Sequence, residues 1–287
     1  MNSNVNKHDH WDLVIQPKTK WYDLRLAEIL KYKDLLLLFV RRDFVALYKQ
    51  TILGPVWFFL QPVITTITFT IIFGNLAKVS TDGLPAILFY LSGITLWNYF
   101  SDTLTKTADT FTTNASIFGK VYFPRMIVPL SVVISNMVKL GVQLSLFLSI
   151  WLYYLCRPDS LVHPTSSILL LPLLVLLMGL LGLAFGIIIS SLTTKYRDLK
   201  FLVTFGVQLM MYASPIVYPL SIVPPKFKWI ILANPVTSII ETFKYAFLGT
   251  GEFNWMHLGY SLTFTILLLI FGLVIFHRVE KSFMDTV

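Results

Sequence analysis

Long apolar stretches alternate with short polar segments along most of the chain. Several of these stretches approach or exceed the roughly 18 to 20 residues that cross a bilayer as a helix. They predict six transmembrane helices, at residues 56–73, 86–106, 127–155, 168–191, 201–220 and 257–276. We therefore expect an all-α, polytopic membrane protein with a cytoplasmic N-terminal region at 1–54, a transmembrane domain at 55–276 and a cytoplasmic tail at 277–287.

A helical periodicity of a different kind precedes the first span, at residues 24–47. Apolar residues recur there at helical spacing, and charged residues lie between them. This pattern predicts an amphipathic helix in the cytoplasmic headgroup layer. The helix is either a membrane anchor or a site where Arg41, Arg42 and Lys49 attract an anionic lipid-linked group, because clustered cations at this depth suit phosphate.

The outer connection between the fifth and sixth spans is too apolar for an exterior loop and too rich in proline to cross the membrane. Asn234 and Pro235 predict the start of a helix, as N-cap and first helical residue, and Gly249 predicts its end. Backbone at membrane depth persists only where protein or a water-filled cavity satisfies its polar groups. We expect short re-entrant or interfacial helices that shape the outer mouth of a pathway.

The net charge of +8 raises the question of nucleic-acid binding, and the distribution of the charge answers it. Seventeen of the 23 Lys and Arg residues fall in predicted cytoplasmic segments and five in outer ones. Membrane proteins generally carry more Lys and Arg on the cytoplasmic side of the membrane. With both termini in the cytoplasm, this rule accounts for the distribution without a nucleic acid as partner.

Few side chains in the predicted spans suit catalysis or ion coupling. Asp102 is the only acid near the interior of a span, whereas proton-coupled carriers generally need acids or histidines along their path. No HExxH, paired-carboxylate or nucleophile-and-base pattern is present, and the phosphate loop GxxxxGK[ST] is absent, so this chain does not hydrolyse ATP in that way. The single cysteine, Cys156, excludes an intrachain disulfide and a CxxC metal site.

Polar side chains nevertheless recur on single faces of four spans. Phe58, Gln61 and Thr65 share one face of the first span, and Asn98 and Asp102 share one face of the second. Each residue alone is explained by a hydrogen bond between helices. Four such faces together favour a wide path of hydroxyls, amides and aromatic rings, which suits a neutral, hydroxylated polymer such as a glycan. The candidate path residues are Trp57, Phe58, Gln61, Thr65, Trp97, Asn98, Asp102 and Gln208.

The predicted cytoplasmic loop between the second and third spans carries more apolar side chains than a solvent-facing connector should expose. Ile117, Phe118, Val121, Tyr122 and Phe123 lie within a few residues of one another. Such a patch is most simply covered by the membrane or by another protein. A short helix inserted into a groove of a soluble partner explains it.

These motifs together resemble the membrane subunits of type-2 ABC exporters that move polysaccharides such as O-antigen, capsule and teichoic acid. The resemblance covers about residues 21 to 280. YKQTILGPVWFFLQP resembles the family signature at the first span, and IFGKVYFPRMIVPL resembles its first coupling-helix region. KYRDLK is similar to its second cytoplasmic loop, and SPIVYP with NPVTSIIETFKYAFLG is similar to its outer re-entrant segment.

The resemblance implies a homodimeric pathway in the bacterial inner membrane, with two copies of a separate nucleotide-binding ATPase docked beneath it. That partner would bind ATP and Mg²⁺, so this chain would hold no cofactor or metal and would not itself be an enzyme. The substrate implied is a glycan on a polyprenyl-diphosphate carrier. The residues implied to receive the ATPase are Asn114, Ile117, Phe118, Lys120, Tyr122, Phe123, Arg125, Tyr196, Arg197 and Asp198.

Other functions share some of these features. An ABC exporter subunit for a drug, lipid or other small molecule would keep the coupling segments but needs no wide polar path. A stand-alone channel or ion-coupled carrier is disfavoured because Asp102 is the lone acid. A membrane-bound glycosyltransferase or acyltransferase is the enzyme alternative, and no catalytic pattern supports it.

Overall fold

The computed structural model describes residues 31–49, 52–158, 161–196 and 198–282. These residues form ten α-helices and no β-strand, so the all-α prediction is confirmed for them. In chain order the helices are α1 Lys33–Lys49, α2 Trp57–Phe69, α3 Ala86–Ala108, α4 Thr110–Phe118, α5 Ile127–Leu155, α6 Leu171–Thr193, α7 Leu199–Tyr212, α8 Pro225–Ala233, α9 Pro235–Leu248 and α10 Trp255–Ser282. A π-helical segment, Thr70–Leu76, continues α2.

Within the described residues, four helical segments are long and apolar enough to cross a membrane. They are Gly54–Leu76, Ile127–Leu155, Ser166–Thr193 and Trp255–Glu280. Each coincides with a predicted span, so the prediction is confirmed at four of its six positions. The second prediction, 86–106, corresponds to α3, which has 23 residues but is not among the four.

The fifth predicted span, 201–220, is shorter in the structure. Helix α7 ends at Tyr212 after 14 residues, which is about 21 Å of helix against a hydrocarbon core of about 30 Å. The helix ends there because Pro215 has no N–H to continue the ladder, while the Ser214 hydroxyl donates back to Met210 O. Apolar composition alone did not predict that the helix ends at Tyr212.

The predicted amphipathic helix at 24–47 overlaps α1, and residues 24–30 lie outside the described residues. One face of α1 packs against the chain, because Phe39 is buried with its ring centroid 5.6 Å from that of Phe123. Leu37 and Leu38 are exposed on another face. At the other end of the chain, α10 continues beyond the predicted span end at 276, to Ser282.

Helix α3 forms the core, with side chains such as Leu88, Tyr90 and Phe100 buried on several faces. It packs closely against α6 because Gly182 and Gly186 present no side chain to it. A Cβ atom added at Gly182 would lie 2.9 Å from Phe100 O. The small-xxx-small spacing of these two glycines predicts such packing, and the structure confirms it.

Helices α8 and α9 lie between the fifth predicted span and α10 along the chain. The predicted boundaries of α9 are confirmed: Asn234 accepts a hydrogen bond from Val236 N at 3.1 Å, Pro235 is the first helical residue, and Gly249 ends the helix with φ of 76°. Inside α9, the buried Lys244 donates to Pro215 O at 2.5 Å and lies 3.6 Å from the centroid of the Phe89 ring. Lys244 thereby ties α9 to the turn that follows α7.

The glycine contact between α3 and α6 gives a stability prediction. A Cβ added at Gly186 would lie 3.0 Å from Leu104 O and closer still to Thr107. We expect Gly186→Ala to lower stability by about 1 to 3 kcal/mol, because overpacking separates the two helices. Thermal unfolding of the purified protein in detergent measures the change.

Gly141→Ala is the matched control, because a Cβ at that helical position meets no atom within 4 Å. It should leave the melting temperature unchanged or raise it slightly through helix propensity. Equal melting temperatures for the two variants would show that the α3–α6 contact tolerates a methyl group.

Candidate functional site

Basic side chains from three helices surround a cavity of about 340 Å³ between α1, α3 and α5. Arg42 comes from α1, Lys106 from the last turn of α3 and Lys139 from the middle of α5. Asp43 and Asp109 also line it. We refer to this space as the cationic cavity.

The carboxylates around the cavity each pair with a different cation. Arg42 Nη2 lies 2.8 Å from Asp43 Oδ1, and Lys139 Nζ lies 2.6 Å from Asp102 Oδ2. Lys200 Nζ, from the first turn of α7, lies 3.0 Å from Asp109 Oδ2. Each of these three carboxylates is therefore already in direct contact with one cation.

Lys106 has a neutral partner instead. Its Nζ donates to Asn136 Oδ1 at 2.9 Å, and Asn136 Nδ2 donates in turn to Thr103 Oγ1 at 3.3 Å. Among the described residues, Lys106 is the cavity cation without a carboxylate within 4.0 Å. A partly buried ammonium held only by an amide favours an anion, because charge-assisted hydrogen bonds are the stronger kind. The arrangement therefore suits a negatively charged ligand.

One of the three residues predicted to attract a lipid-linked anion lines the cavity. Arg42 does so, with its guanidinium carbon 4.6 Å from the centroid of the Phe39 ring. Arg41 and Lys49 are exposed on α1 and are not part of the lining. Neither Lys106 nor Lys139 was predicted as part of an anion site, although Lys139 lies on the polar face of the third predicted span, and a lysine inside a span signals a function or a partner.

Three of the predicted path residues meet at Lys139. Its Nζ pairs with Asp102, lies 3.5 Å from Gln61 Oε1 and lies 5.9 Å from the centroid of the buried Phe58 ring. The contacts bring α2, α3 and α5 together at one point. A lysine inside a span is therefore surrounded by a carboxylate, an amide and an aromatic face.

None of the eight predicted path residues lines the cationic cavity itself, and the other five lie apart from Lys139 in the following positions. Trp97 is buried with its ring centroid 5.3 Å from that of Phe100, and Thr65 Oγ1 donates to Gln61 O of its own helix at 2.9 Å. Asn98 is half-buried in α3. Trp57 and Gln208 are exposed on the surface of the single chain.

The segment predicted to receive an ATPase has an outward part and an inward part. Lys120, Val121 and Tyr122 are exposed in the loop after α4, with 65% of Tyr122 accessible. Tyr196 and Asp198 are exposed as well, and Arg197 lies outside the described residues.

The inward part consists of side chains that pack against the chain itself. Phe118 and Phe123 are buried with ring centroids 5.7 Å apart, and Asn114 is buried and donates to Thr110 O at 3.0 Å. Ile117 and Arg125 are half-buried. An outward contact at residues 120–122 would therefore act on a segment that is packed into the helices behind it.

No group of three or more His, Cys, Asp or Glu residues in the described ranges is arranged to hold a metal ion.

Comparison with known proteins relates most of the chain to one family. Residues 34–248 match the family described as ABC-2 type transporter. The O-antigen export system permease protein RfbA of Klebsiella pneumoniae is 28% identical over 252 residues, covering 88% of this chain and 94% of the relative. RfbA of Myxococcus xanthus is 28% identical over 77% of this chain and 83% of the relative. The polysialic acid transport protein KpsM of Escherichia coli is 21% identical over 82% of this chain and 89% of the relative.

The pair between Asp102 and Lys139 gives a prediction for the site. The Asp102→Asn variant leaves the Lys139 ammonium without its charged partner, with 14% of that side chain exposed. We expect a loss of stability of about 1 to 3 kcal/mol, less than for a fully buried pair because water reaches both groups. Thermal unfolding in detergent measures it.

Glu252→Gln is the control, because it breaks the more exposed pair between Glu252 and Lys228. That change should cost well under about 1 kcal/mol, as is usual at a surface. Equal losses for the two variants would contradict a structural role of the Asp102–Lys139 pair.

Proposed function

The chain belongs to the ABC-2 type transporter family, and from that premise we propose that it is the permease subunit of an ATP-driven polysaccharide exporter in the bacterial inner membrane. The observation that carries the proposal is the near full-length similarity to the permease RfbA, with support from KpsM. Four helices able to cross a membrane support the location. The subunit is a permease and not an enzyme, because ATP hydrolysis takes place on a separate nucleotide-binding subunit.

Two copies of that ATPase subunit dock on the cytoplasmic segments and bind ATP and Mg²⁺. The exposed residues 120–122 and the exposed Tyr196 and Asp198 support this contact. The ion pair between Lys200 and Asp109 joins the first turn of α7 to the start of α4, the helix that leads to residues 120–122. In this proposal the two segments together form one docking face.

Two copies of the chain form the pathway. The single chain leaves much apolar surface uncovered: α7 has no buried residue, and Phe201 in it is 80% exposed. The predicted path residues Trp57 and Gln208 point outward from the single chain. A path between two copies accounts for polar groups on outward faces, and lipid and the second copy cover the apolar ones.

Each copy crosses the membrane six times, through the four apolar spans and through α3 and α7. Helix α3 carries polar residues but is buried by protein, so its lower hydropathy does not prevent it from crossing. Helix α7 is short, and α8 and α9 complete the outer side as re-entrant helices. Both termini are then cytoplasmic, as the distribution of Lys and Arg favours.

The glycan is carried on a polyprenyl diphosphate, and the cationic cavity binds the diphosphate. Lys106 lacks a carboxylate partner, and the cavity is lined by Arg42 and Lys139 as well. Phosphate oxygens supply the charged acceptors that Lys106 lacks. The cavity opens beside α1, the amphipathic helix, so a lipid headgroup reaches it from the membrane surface.

Deletion of the gene in its own bacterium tests the function. We expect the surface polysaccharide to disappear and the lipid-linked glycan to accumulate inside the cell, because synthesis continues without export. Immunoblotting of whole cells and mass spectrometry of extracted lipids measure the two pools. The gene supplied on a plasmid should restore export. An unchanged surface polysaccharide, together with altered drug resistance, would favour the small-molecule exporter instead.

The cavity gives a second prediction. Lys106→Gln keeps a hydrogen-bond donor for Asn136 but removes the charge. We expect the lipid-linked glycan concentration that half-maximally stimulates ATP hydrolysis by the complex to rise about tenfold, because a charge-assisted bond to phosphate is lost. Steady-state ATPase assays in nanodiscs measure it.

Lys226→Gln is the control, because it removes the charge from an exposed lysine of α8. Its half-maximal concentration should equal that of the wild type. An unchanged value for Lys106→Gln would place the diphosphate elsewhere.

A further inference from the structure

Helix α10 connects two regions that the transport cycle has to coordinate. It is continuous over 28 residues, which is about 42 Å of helix. Its last turns contact the segment around α4, and its first turns contact α8 and α9. An α-helix is stiff along its axis because successive hydrogen bonds join its turns, so a displacement of one end reaches the other.

The inner end of α10 is bonded to residues 119–126 between α4 and α5, which we call the coupling segment, by two hydrogen bonds that Arg125 donates. The main-chain N–H of Arg125 donates to Glu280 Oε1 at 3.1 Å, and the Arg125 guanidinium donates to the main-chain oxygen of Glu280 at 2.6 Å. One turn earlier, the Phe276 ring stacks on Phe111 of α4, with centroids 4.8 Å apart. Movement of the coupling segment therefore acts directly on α10.

The outer end of α10 is bonded to the junction of α8 and α9. Ser261 Oγ donates to Pro235 O at 2.8 Å and lies 2.6 Å from Ser238 Oγ. Tyr260 OH donates to Ala233 O at 2.9 Å. The last residue of α8 and the first residue of α9 are thus both held by α10.

We propose that α10 transmits the movement of the ATPase-facing segment to the outer helices α8 and α9, with Glu280 and Ser261 as the positioning residues at its two ends. The inference rests on the proposed function, because it requires an ATPase that moves residues 120–122. It assigns to the last span a role in coupling that is separate from substrate binding.

Glu280→Ala tests the inner junction, and Glu280→Gln is its conservative partner. Alanine removes the acceptor of the Arg125 N–H, whereas the glutamine amide oxygen keeps one. Arg278→Ala is the control, since Arg278 is exposed in the same turn. At the outer end, Ser261→Ala is matched by Thr263→Ala, because the Thr263 hydroxyl donates to Gly259 O within α10 itself.

The readouts are ATPase binding, ATP hydrolysis, export and the accessibility of α8. For the last, Cys156 is replaced by serine, and the exposed Trp229 of α8 is replaced by cysteine for labelling with a membrane-impermeant maleimide. We expect ATP to change the labelling rate in the wild-type background. In Glu280→Ala and Ser261→Ala the complex should still assemble and hydrolyse ATP, while the labelling change is lost and export falls about tenfold.

Glu280→Gln and the two control variants should keep both export and the ATP-dependent labelling change. Wild-type behaviour of Glu280→Ala in export and labelling would overturn the inference. Loss of ATPase binding in that variant would also overturn it, by assigning Glu280 to docking. Absence of ATP-dependent export in the wild-type complex would instead contradict the proposed function.

Discussion

A lysine inside a membrane span needs a partner, and the pairing of Lys139 with Asp102 is the interaction around which the site is organised. The pair joins α5 to α3, and the contacts of Lys139 with Gln61 and Phe58 add α2. Asp102 also attracts Lys106, but its carboxylate pairs directly with Lys139, and the Lys106 ammonium donates to the Asn136 amide instead. The cavity lining keeps a positive excess, with the cations Arg42, Lys106 and Lys139 against the carboxylates Asp43 and Asp109.

The parts of the fold that depend on local chemistry could be predicted closely from the sequence. The ends of α9 are set by a side-chain cap at Asn234, a proline without an N–H and a glycine with positive φ, and all three act within a few residues. Four spans follow from uninterrupted apolar runs. The end of α7 was misplaced because the residues after it are as apolar as a span, while Pro215 prevents them from continuing the helix.

The parts that depend on distant residues could not be predicted in the same way. Lys106, Lys139 and Arg42 lie on three helices, and only the packing of those helices brings them to one cavity. Phe118 and Phe123 were expected to meet a partner, yet both are buried, because Phe118 packs against Phe111 and Phe123 packs against Phe39 of α1. A linear pattern identifies an apolar segment but does not tell which side chains it turns inward.

We propose that the chain moves a diphosphate-linked glycan only when a separate ATPase hydrolyses ATP. Reconstitution of the chain with that ATPase in proteoliposomes tests it most directly, with the lipid-linked glycan in the leaflet that faces the ATPase. We predict ATP-dependent transfer of the glycan to the other leaflet, measured by its accessibility to an added glycosidase, and no transfer by the chain alone. Equal transfer without ATP or without the ATPase would contradict it.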